Sequence, residues 1–353
     1  MDQIRFGIVG AGLMGFMHAE AIHGNQAAAL VAVCDRQRPQ AERLAGQYPG
    51  CAAFSDLEEM LTKTDLDAVS VCTPSGLHAE ATVLAAERGK HVLCEKPLEI
   101  SRSRMDIMIS TCRRNHVKLG GVLQRRTMEA AVLTRSVLER GGLGRLVLAD
   151  AYLKYYRKPE YYRESGWRGT WELDGGGALI NQGIHGVDLI QWLMGGAESV
   201  YAYAGALLRD IPVEDTAVAV VRYANGAFGV IEAATSVYPG LPSRFEVHGE
   251  QGTIGFSDAG IDVWEFPGAQ EEQKAVRGDV GGTRDPGAIS SEGHRHTVED
   301  FVQAILQNRE PMVNGEEARR GVDLVLAMYE SARRGCEVRL DAMSVREDLY
   351  DGG

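Results

Sequence analysis

The chain has 353 residues, more than the roughly 100 to 200 of a typical domain, and this length predicts two domains. Its formal net charge of −12 opposes binding to nucleic acid or to an anionic membrane surface, so we expect neither as a partner. The six cysteines show no C-x-x-C spacing, which indicates reduced thiols. With no signal-peptide pattern and no membrane-length apolar stretch, we expect a cytoplasmic protein.

Short strands alternate with helices over residues 1–123, which we predict to be an N-terminal Rossmann domain with a doubly wound parallel sheet. The strand candidates are short apolar runs at 6–9, 30–34, 68–72, 91–94 and 119–122. Helical spacing of apolar residues fills the intervals 14–23, 40–47, 57–63, 79–88 and 103–115. Strands that are apolar on both faces and separated by helices predict right-handed crossovers in an α/β fold.

The pattern changes over residues 124–353, which we predict to be an α+β domain with a large, mostly antiparallel open sheet. A helix at 128–140 precedes alternating stretches at 145–154, 199–208, 217–223, 227–234 and 244–248. Asn225-Gly226 between two of these stretches is a strong hairpin signal. The remaining segments are predicted to be a helix at about 179–193, a loop at 268–292, and helices at 296–307 and 316–334.

One face of this second sheet is expected to remain uncovered, because a single inserted helix covers only the other. Val218, Val220, Phe228 and Val230, or the residues of opposite phase, would then form an exposed apolar patch. Monomers rarely tolerate so large a patch, so we predict a homodimer or homotetramer that assembles through the open face.

A dinucleotide-binding motif follows the first strand. The segment Gly10-Ala11-Gly12-Leu13-Met14-Gly15 matches G-x-G-x-x-G and opens a helix whose free N–H groups favour a pyrophosphate. Asp35 ends the second strand, where it would accept hydrogen bonds from the ribose hydroxyls and repel a 2′-phosphate. This favours NAD over NADP. Arg36 and Arg38 leave NADP as an alternative cofactor, since a guanidinium there can either stack on adenine or bind phosphate.

Further motifs give a family resemblance. They are Gly10 to His18 (G-A-G-x-x-G-x-x-H), Thr73-Pro74-Ser75-Gly76-Leu77-His78, Cys94-Glu95-Lys96-Pro97, and GGGALINQGIHGVD from Gly175 to Asp188. In order and spacing they resemble the glucose-fructose oxidoreductase, inositol dehydrogenase and MocA family over nearly the whole chain. The resemblance implies an NAD(P)-dependent dehydrogenase of a sugar or cyclitol hydroxyl. It also implies cofactor contacts from Leu13, Met14, Arg36, Thr73, Pro74, Leu77, His78, Glu95 and Lys96.

Lys96 and His185 are the candidates for handling the proton of the substrate hydroxyl. His185 lies four residues after Asn181 and three before Asp188, so helical spacing puts these polar groups on or near one face. In the family that the chain resembles, the commonest pattern has an Asp where this chain has Asn181. An amide cannot stabilise an imidazolium as a carboxylate does. We therefore expect Lys96 to accept the proton and His185 to bind the hydroxyl, with Asn181 and Asp188 in substrate binding. The N-Q-x-x-H variant is similar to that of relatives that act on larger glycosides and nucleotide sugars.

Residues 155–172 form an aromatic segment that contains six aromatic and four basic residues. Aromatic rings stack on pyranose faces and basic donors bind hydroxyls, so Tyr156, Trp167 and Arg168 are predicted to bind a carbohydrate. The same composition also suits an arm between subunits. Gln124 and Arg125, just after the last strand of the first domain, are further candidates for substrate contact.

Metal binding is not predicted from the histidines near the C-terminal helices. His294 and His296 are separated by one residue at a helix start, and no third ligand accompanies them at a suitable spacing. Both side chains could reach the cleft from this helix, but we expect them to be solvated at the helix start.

The sequence thus favours an NAD-dependent enzyme that dehydrogenates a sugar, anhydrosugar or cyclitol. An alternative is a glycoside-processing enzyme that retains its NAD and transiently oxidises a ring hydroxyl, commonly at C3. A third class, a non-catalytic dinucleotide-binding regulator, would need neither Lys96 and His185 nor the aromatic segment. The fold alone does not decide between these classes, so the hypothesis rests on the named residues.

Overall fold

A computed structural model describes residues 3–269 and 291–341, which divide into two compact units. The first unit contains residues 3–124 and 291–319, and the second contains residues 125–269 and 320–341. Within these described ranges, no helix is both long enough and apolar enough to cross a membrane.

The first unit is a doubly wound α/β fold, as predicted. Its six strands pair in parallel in the order β3-β2-β1-β4-β5-β6. They are β1 Ile4–Val9, β2 Ala28–Cys34, β3 Ala52–Phe54, β4 Ala68–Val71, β5 His91–Cys94 and β6 Leu119–Gly121. The helices that connect them are α1 Leu13–His23, α2 Arg38–Ala45, α3 Leu57–Lys63, α4 His78–Glu87 and α5 Arg102–Arg114. The strand order reverses between β1 and β4, and ligands of such sheets bind beyond the carboxyl ends of the strands at this point.

A late segment of the chain completes this unit. The helix Glu292–Leu306, called α9 below, packs against α1 and inserts Phe301 into the core beside Phe6. The sequence predicts a boundary at residues 123 and 124 and assigns everything after it to the second domain. The structure groups residues 291–319 with the first unit, because the apolar face of α9 covers the core formed by the first sheet.

The second unit is built on an eight-stranded sheet with the order β13-β12-β11-β7-β10-β9-β8-β14. Every neighbouring pair is antiparallel apart from β7 and β10, so the predicted mostly antiparallel sheet is confirmed. The strands are β7 Leu146–Lys154, β8 Ala197–Gly205, β9 Thr216–Tyr223, β10 Phe228–Ala234, β11 Arg244–Gly249, β12 Gly252–Ser257, β13 Gly260–Glu265 and β14 Val338–Arg339. The helices are α6 Glu129–Glu139, α7 Pro159–Arg163, α8 Ile184–Leu193 and α10 Gly315–Arg334, of which residues 315–319 belong to the first unit.

Four strands were not predicted from the sequence. β3 and β14 have three and two residues, too few for a visible alternation. β12 contains Gly255 and β13 begins at Gly260, and these glycines weaken the alternation of apolar residues. The predicted hairpin at Asn225-Gly226 is present between β9 and β10, with Gly226 at φ +87°. Most of the loop predicted at 268–292 lies outside the described residues, and its last residue, Glu292, begins α9.

One face of the second sheet carries exposed apolar side chains. Val218, Val220 and Phe228 are 45%, 55% and 51% exposed, while the alternate residues Ala219 and Val221 are buried. This is the first of the two phases considered from the sequence.

We predict that this face mediates self-association. Val220→Lys places a charge in the centre of the patch and should convert the wild-type oligomer to a smaller species in light scattering coupled to size exclusion. Val132→Lys is the matched control, since Val132 is 50% exposed on α6, and it should leave the mass unchanged. A wild-type chain that is monomeric at micromolar concentration would contradict the prediction.

Candidate active site

The glycine loop after β1 has the geometry of a pyrophosphate site. A Cβ on Gly10, which has φ +98°, would lie 2.5 Å from the carbonyl oxygen of Cys72, and one on Gly15 would lie 2.1 Å from that of Gly10. A Cβ on Gly12 would meet nothing within 4 Å. Gly10 and Gly15 are therefore required because any side chain would clash with neighbouring backbone. Gly12 leaves open space at the start of α1. Leu13 and Met14 form the first turn of that helix, with Leu13 exposed.

Asp35 is fastened to this loop. Its carboxylate accepts hydrogen bonds of 2.8 Å from the N–H groups of Ala11 and Gln37, one on each oxygen. Each carboxylate oxygen has a further lone pair, so these bonds leave acceptor capacity for ribose hydroxyls. Arg36 is exposed, with one guanidinium nitrogen 4.0 Å from a carboxylate oxygen of Glu80.

His78 joins two turns at the carboxyl end of the first sheet. Its Nδ1 lies 2.8 Å from the carbonyl oxygen of Pro97 and its Nε2 lies 2.9 Å from that of Thr73. Both ring nitrogens thus lie within hydrogen-bonding distance of backbone carbonyl oxygens, and the contact of His78 with the cofactor stays a prediction. Thr73, Pro74 and Leu77 remain half-buried in the turn. The Thr73 hydroxyl is buried without a hydrogen-bond partner among the described residues, as suits a group that faces a ligand.

Glu95 directs its carboxylate into the interior. One oxygen accepts hydrogen bonds from Nε2 of His18 at 3.0 Å and Nε2 of His294 at 3.1 Å, and the other accepts the N–H of Lys96 at 2.9 Å. Burial alone would raise the pKa of Glu95, but the hydrogen bonds from the two histidines outweigh it and hold that pKa well below its usual range. Glu95 therefore supports the backbone of Lys96, and its predicted contact with the cofactor stays a prediction.

The two histidines have defined tautomers. Since an ionised carboxylate only accepts hydrogen bonds, Nε2 of His18 carries the hydrogen, and the Ser70 hydroxyl donates to its Nδ1. Burial lowers the pKa of His18, which agrees with a neutral ring. The expectation that His294 is solvated is wrong, because α9 carries it into the core, whereas His296 is exposed.

Two groups of potential metal ligands occur among the described residues. They are His18, Glu95 and His294, and, on β7 and β11, Asp150, Glu246 and His248. Hydrogen bonds account for much of both groups: Asp150 accepts the N–H of Val230 at 2.8 Å, and Nδ1 of His248 lies 3.0 Å from the Thr253 hydroxyl. The absence of a metal stays a prediction.

The segment that carries His185 differs from the regular helix that the sequence predicts. Residues Ala178–Gly183 form a π-helical turn, and α8 begins at Ile184. Asn181 lies in the wider π-helical part, while His185 is half-buried in the first turn of α8. Single π-helical turns are frequent at functional sites.

Glu214 fixes the start of this segment. One carboxylate oxygen accepts the N–H of Leu179 and the hydroxyl of Tyr329, both at 2.8 Å, and the other accepts the N–H of Gly177 at 3.0 Å. Burial raises the pKa of Glu214 to about 7, and these three donors limit the rise. Sequence reasoning missed Glu214, which lies just before β9. No sequence pattern links it to its partner Leu179, which is 35 positions earlier in the chain.

Asp188 and Arg125, both predicted to bind substrate, are engaged in ion pairs within the second unit. Asp188 pairs with buried Arg126 through two contacts of 2.8 and 2.7 Å. Arg125 lies 2.6 Å from a carboxylate oxygen of Asp258. Both side chains thus have intramolecular partners, and their contact with a substrate stays a prediction. Gln124 belongs to the first unit and packs against Gly293: a Cβ built on Gly293 would lie 2.7 Å from the Cβ of Gln124.

The aromatic segment contains two kinds of ring. Tyr155 and Tyr162 are buried, and the hydroxyl of Tyr162 donates to Oγ1 of Thr235 at 2.7 Å. The half-buried rings instead contact guanidinium groups: Cζ of Arg168 lies 4.3 Å from the ring centroid of Tyr161 and 5.5 Å from that of Trp167, and Cζ of Arg209 lies 5.3 Å from that of Tyr156. Carbohydrate binding by Tyr156, Trp167 and Arg168 stays a prediction.

Family comparisons identify the class of enzyme. The description "Oxidoreductase family, NAD-binding Rossmann fold" matches residues 4–121, and "GFO/IDH/MocA C-terminal domain" matches residues 132–255. The glycine loop and the fold thus belong to an NAD-binding oxidoreductase. More particularly, the chain is a member of the GFO/IDH/MocA family, so the predicted family, fold class and cofactor are confirmed.

Relatives in this family act on sugars and cyclitols. The chain is 30% identical to D-glucoside 3-dehydrogenase of Escherichia coli K12, with 96% of this chain and 97% of that protein covered. It is 27% identical to inositol 2-dehydrogenase of Rhizobium meliloti, with 93% and 96% covered. The crystal structure of the WlbA dehydrogenase from Bordetella pertussis, in complex with NADH and UDP-GlcNAcA, matches with a TM-score of 0.86 and 33% identity over 96% of this chain and 98% of that one.

The position of Asp35 predicts the cofactor preference. NAD should bind at least about tenfold tighter than NADP in calorimetry, a difference of ~1.4 kcal/mol, because the carboxylate repels a 2′-phosphate. Asp35→Asn should narrow the gap by removing the charge while keeping an acceptor for the Ala11 N–H. Asp35→Ala loses that bond as well and should weaken both cofactors. Equal affinities in the wild type would contradict the prediction.

The buried Glu214 predicts a pH dependence of stability. Folding raises its pKa from 4.5 to about 7, so its contribution is fully present below pH 4.5 and is lost as the pH rises through about 7. The loss is on the order of 3 kcal/mol. From pH 5 to pH 8, the wild type should therefore lose more unfolding free energy in urea than Glu214→Gln, which has no proton to release. A difference between the two proteins that is constant with pH would refute this.

Proposed function

We propose that the chain oxidises a secondary hydroxyl of a sugar or cyclitol, with Lys96 accepting the hydroxyl proton and His185 binding the hydroxyl oxygen. When bound, NAD supplies the hydride acceptor. The observation that carries the proposal is the support of Lys96: its N–H is bonded to a buried carboxylate that two histidines hold in place. An ordinary surface lysine needs no such framework.

The role proposed for His185 follows from its neighbour. Asn181 provides an amide four residues before His185, at a position where the commoner pattern of the family has a carboxylate. An amide stabilises an imidazolium less than a carboxylate does, so a neutral His185 that hydrogen-bonds the hydroxyl suits this chain better than a His185 that collects the proton.

A sugar linked to a nucleotide is a second candidate substrate. It is favoured by the 33% identity to a WlbA dehydrogenase whose structure contains UDP-GlcNAcA, which carries phosphates and a carboxylate. Arg168 and Arg209, which lie on half-buried aromatic rings, offer guanidinium groups of the kind that bind carboxylate and phosphate.

A substrate panel separates these possibilities. Inositols, glucosides, levoglucosan, UDP-GlcNAc and UDP-GlcNAcA should each be tested for NADH formation by absorbance at saturating NAD. Net NADH from one class identifies a dehydrogenase of that class. Consumption of a glycoside without net NADH would instead support the alternative in which NAD is retained and a ring hydroxyl is oxidised transiently. A chain that binds NAD and turns over no member would contradict the proposal.

The assignment of the proton predicts how variants behave. Lys96→Met should lower kcat by about 10²- to 10⁴-fold with little change in NAD affinity, as expected when a general base is removed. His185→Ala should act more on KM and less on kcat. Lys63→Met, the same change at an exposed position on α3, is the control and should keep wild-type activity.

The opposite pattern would reassign the roles. If Lys96→Met keeps near-normal turnover while His185→Ala abolishes it, His185 is the base and Lys96 only a binding group.

A further inference from the structure

A chain of hydrogen bonds connects Arg157 to Asp174 through two side-chain amides. Arg157 donates to Oε1 of Gln182 from Nε at 3.1 Å and from Nη2 at 2.7 Å. Nε2 of Gln182 donates to Oδ1 of Asn181 at 3.2 Å, and Nδ2 of Asn181 donates to Oδ2 of Asp174 at 2.9 Å. The two ends are a buried guanidinium and a fully buried carboxylate.

The chemistry of the two ends fixes the direction of the chain. A guanidinium has donors only, so Gln182 must present its oxygen to Arg157 and its nitrogen to the other side. An ionised carboxylate has acceptors only, so Asn181 must present its nitrogen to Asp174. Both ends therefore demand the same orientation of the Asn181 amide, with Oδ1 turned away from Asp174.

We infer that Asp174 and Arg157 are positioning residues, which fix Asn181 as a hydrogen-bond acceptor within the segment that carries His185. This inference rests on the proposed function. A carboxylate at position 181 would be a hydrogen-bond acceptor, and the oriented amide of Asn181 supplies an acceptor oxygen in its place. The negative charge lies on Asp174 instead. The chain also reaches the aromatic segment, because Nε2 of Gln182 donates to the Tyr161 hydroxyl at 2.7 Å.

The arrangement explains why this chain has an amide at position 181. A carboxylate there would face that of Asp174 across the present 2.9 Å contact, and two carboxylates so close cannot both stay ionised. Asp174 cannot turn away at no cost, because the same oxygen accepts the N–H of Gly169 at 2.8 Å. Position 181 is thus an Asn because position 174 is an Asp.

Three variants test the inference: Asp174→Leu, Asp174→Asn and Asn181→Asp. Asp174→Leu removes the acceptor that orients Asn181. Asp174→Asn is the conservative variant, because the oxygen of the new amide can take the place of Oδ2 and accept from both Gly169 and Asn181. In Asn181→Asp, two carboxylates face each other. Asp174→Leu and Asn181→Asp should each lower kcat about tenfold to a hundredfold with NAD affinity little changed, the range for one mispaired buried group, whereas Asp174→Asn should stay within about threefold of wild type.

A pH series distinguishes positioning from general damage. The activity of Asn181→Asp relative to wild type should rise as the pH falls from 8 to 6, because a proton shared by the two carboxylates restores the hydrogen bond. Tyr161, Tyr162, Arg157 and Arg168 are the other titratable or charged groups that interact electrostatically around Asp174 and Asn181, and all the variants retain them. Asp262→Asn, the same change at an exposed position on β13, is the control and should match wild type.

Thermal stability gives a second readout that needs no substrate. Asp174→Leu and Asn181→Asp should melt at lower temperature than wild type, and Asp174→Asn should retain most of the stability. The inference is overturned if Asp174→Leu matches wild type in turnover, or if Asp174→Asn loses as much turnover as Asp174→Leu. A wild-type chain without activity on any panel member overturns the proposed function instead, and the melting data then still report whether the two side chains are paired.

Discussion

Glu95 carries a negative charge in the interior of the first unit, and the donors that this charge requires come from three distant parts of the chain. His18 lies in the first helix, the N–H of Lys96 in the turn after β5, and His294 in a helix about two hundred residues later. Because a buried carboxylate without donors is strongly unfavourable, these elements must fold together. The same requirement gives a physical reason for the histidine that ends the G-x-G-x-x-G-x-x-H motif and for the Glu of Glu95-Lys96-Pro97.

Buried carboxylates organise the second unit in the same way. Glu214 holds the start of the helical segment, Asp188 on α8 pairs with Arg126, and Asp174 orients Asn181. Each of these acids accepts hydrogen bonds from donors within the second unit, which limits the rotation of the groups that it holds. Such preorganisation is what a site for hydride and proton transfer needs, because small displacements of a reacting group are costly in rate.

The sequence predicts local features of this molecule well and pairings between distant residues poorly. The glycine loop, Asp35 and the alternating elements of the first unit follow from short-range patterns, and β5 and α3 have the predicted bounds. His294, Glu214 and Asp174 were missed as site residues because their importance depends on partners that only the tertiary structure brings near. The same reason explains Asp188 and Arg125: residue type and position suggested substrate contact, whereas Arg126 and Asp258 provide intramolecular partners. The Asn at position 181 is visible in the sequence, but its cause, the carboxylate of Asp174, is not.

The π-helical turn Ala178–Gly183 has a consequence for the length of the chain. A π-helical turn holds about one residue more than an α-helical turn, so it behaves as a single inserted residue that the helix has absorbed. Deleting one residue from it would let the segment relax to an α-helix and would rotate everything on one side by about 100° relative to the other. The side chain of His185 would then point in a different direction relative to Asn181, although no residue of the site had been replaced. Among related chains, a gap or insertion within these six positions is therefore a larger change to the site than many substitutions.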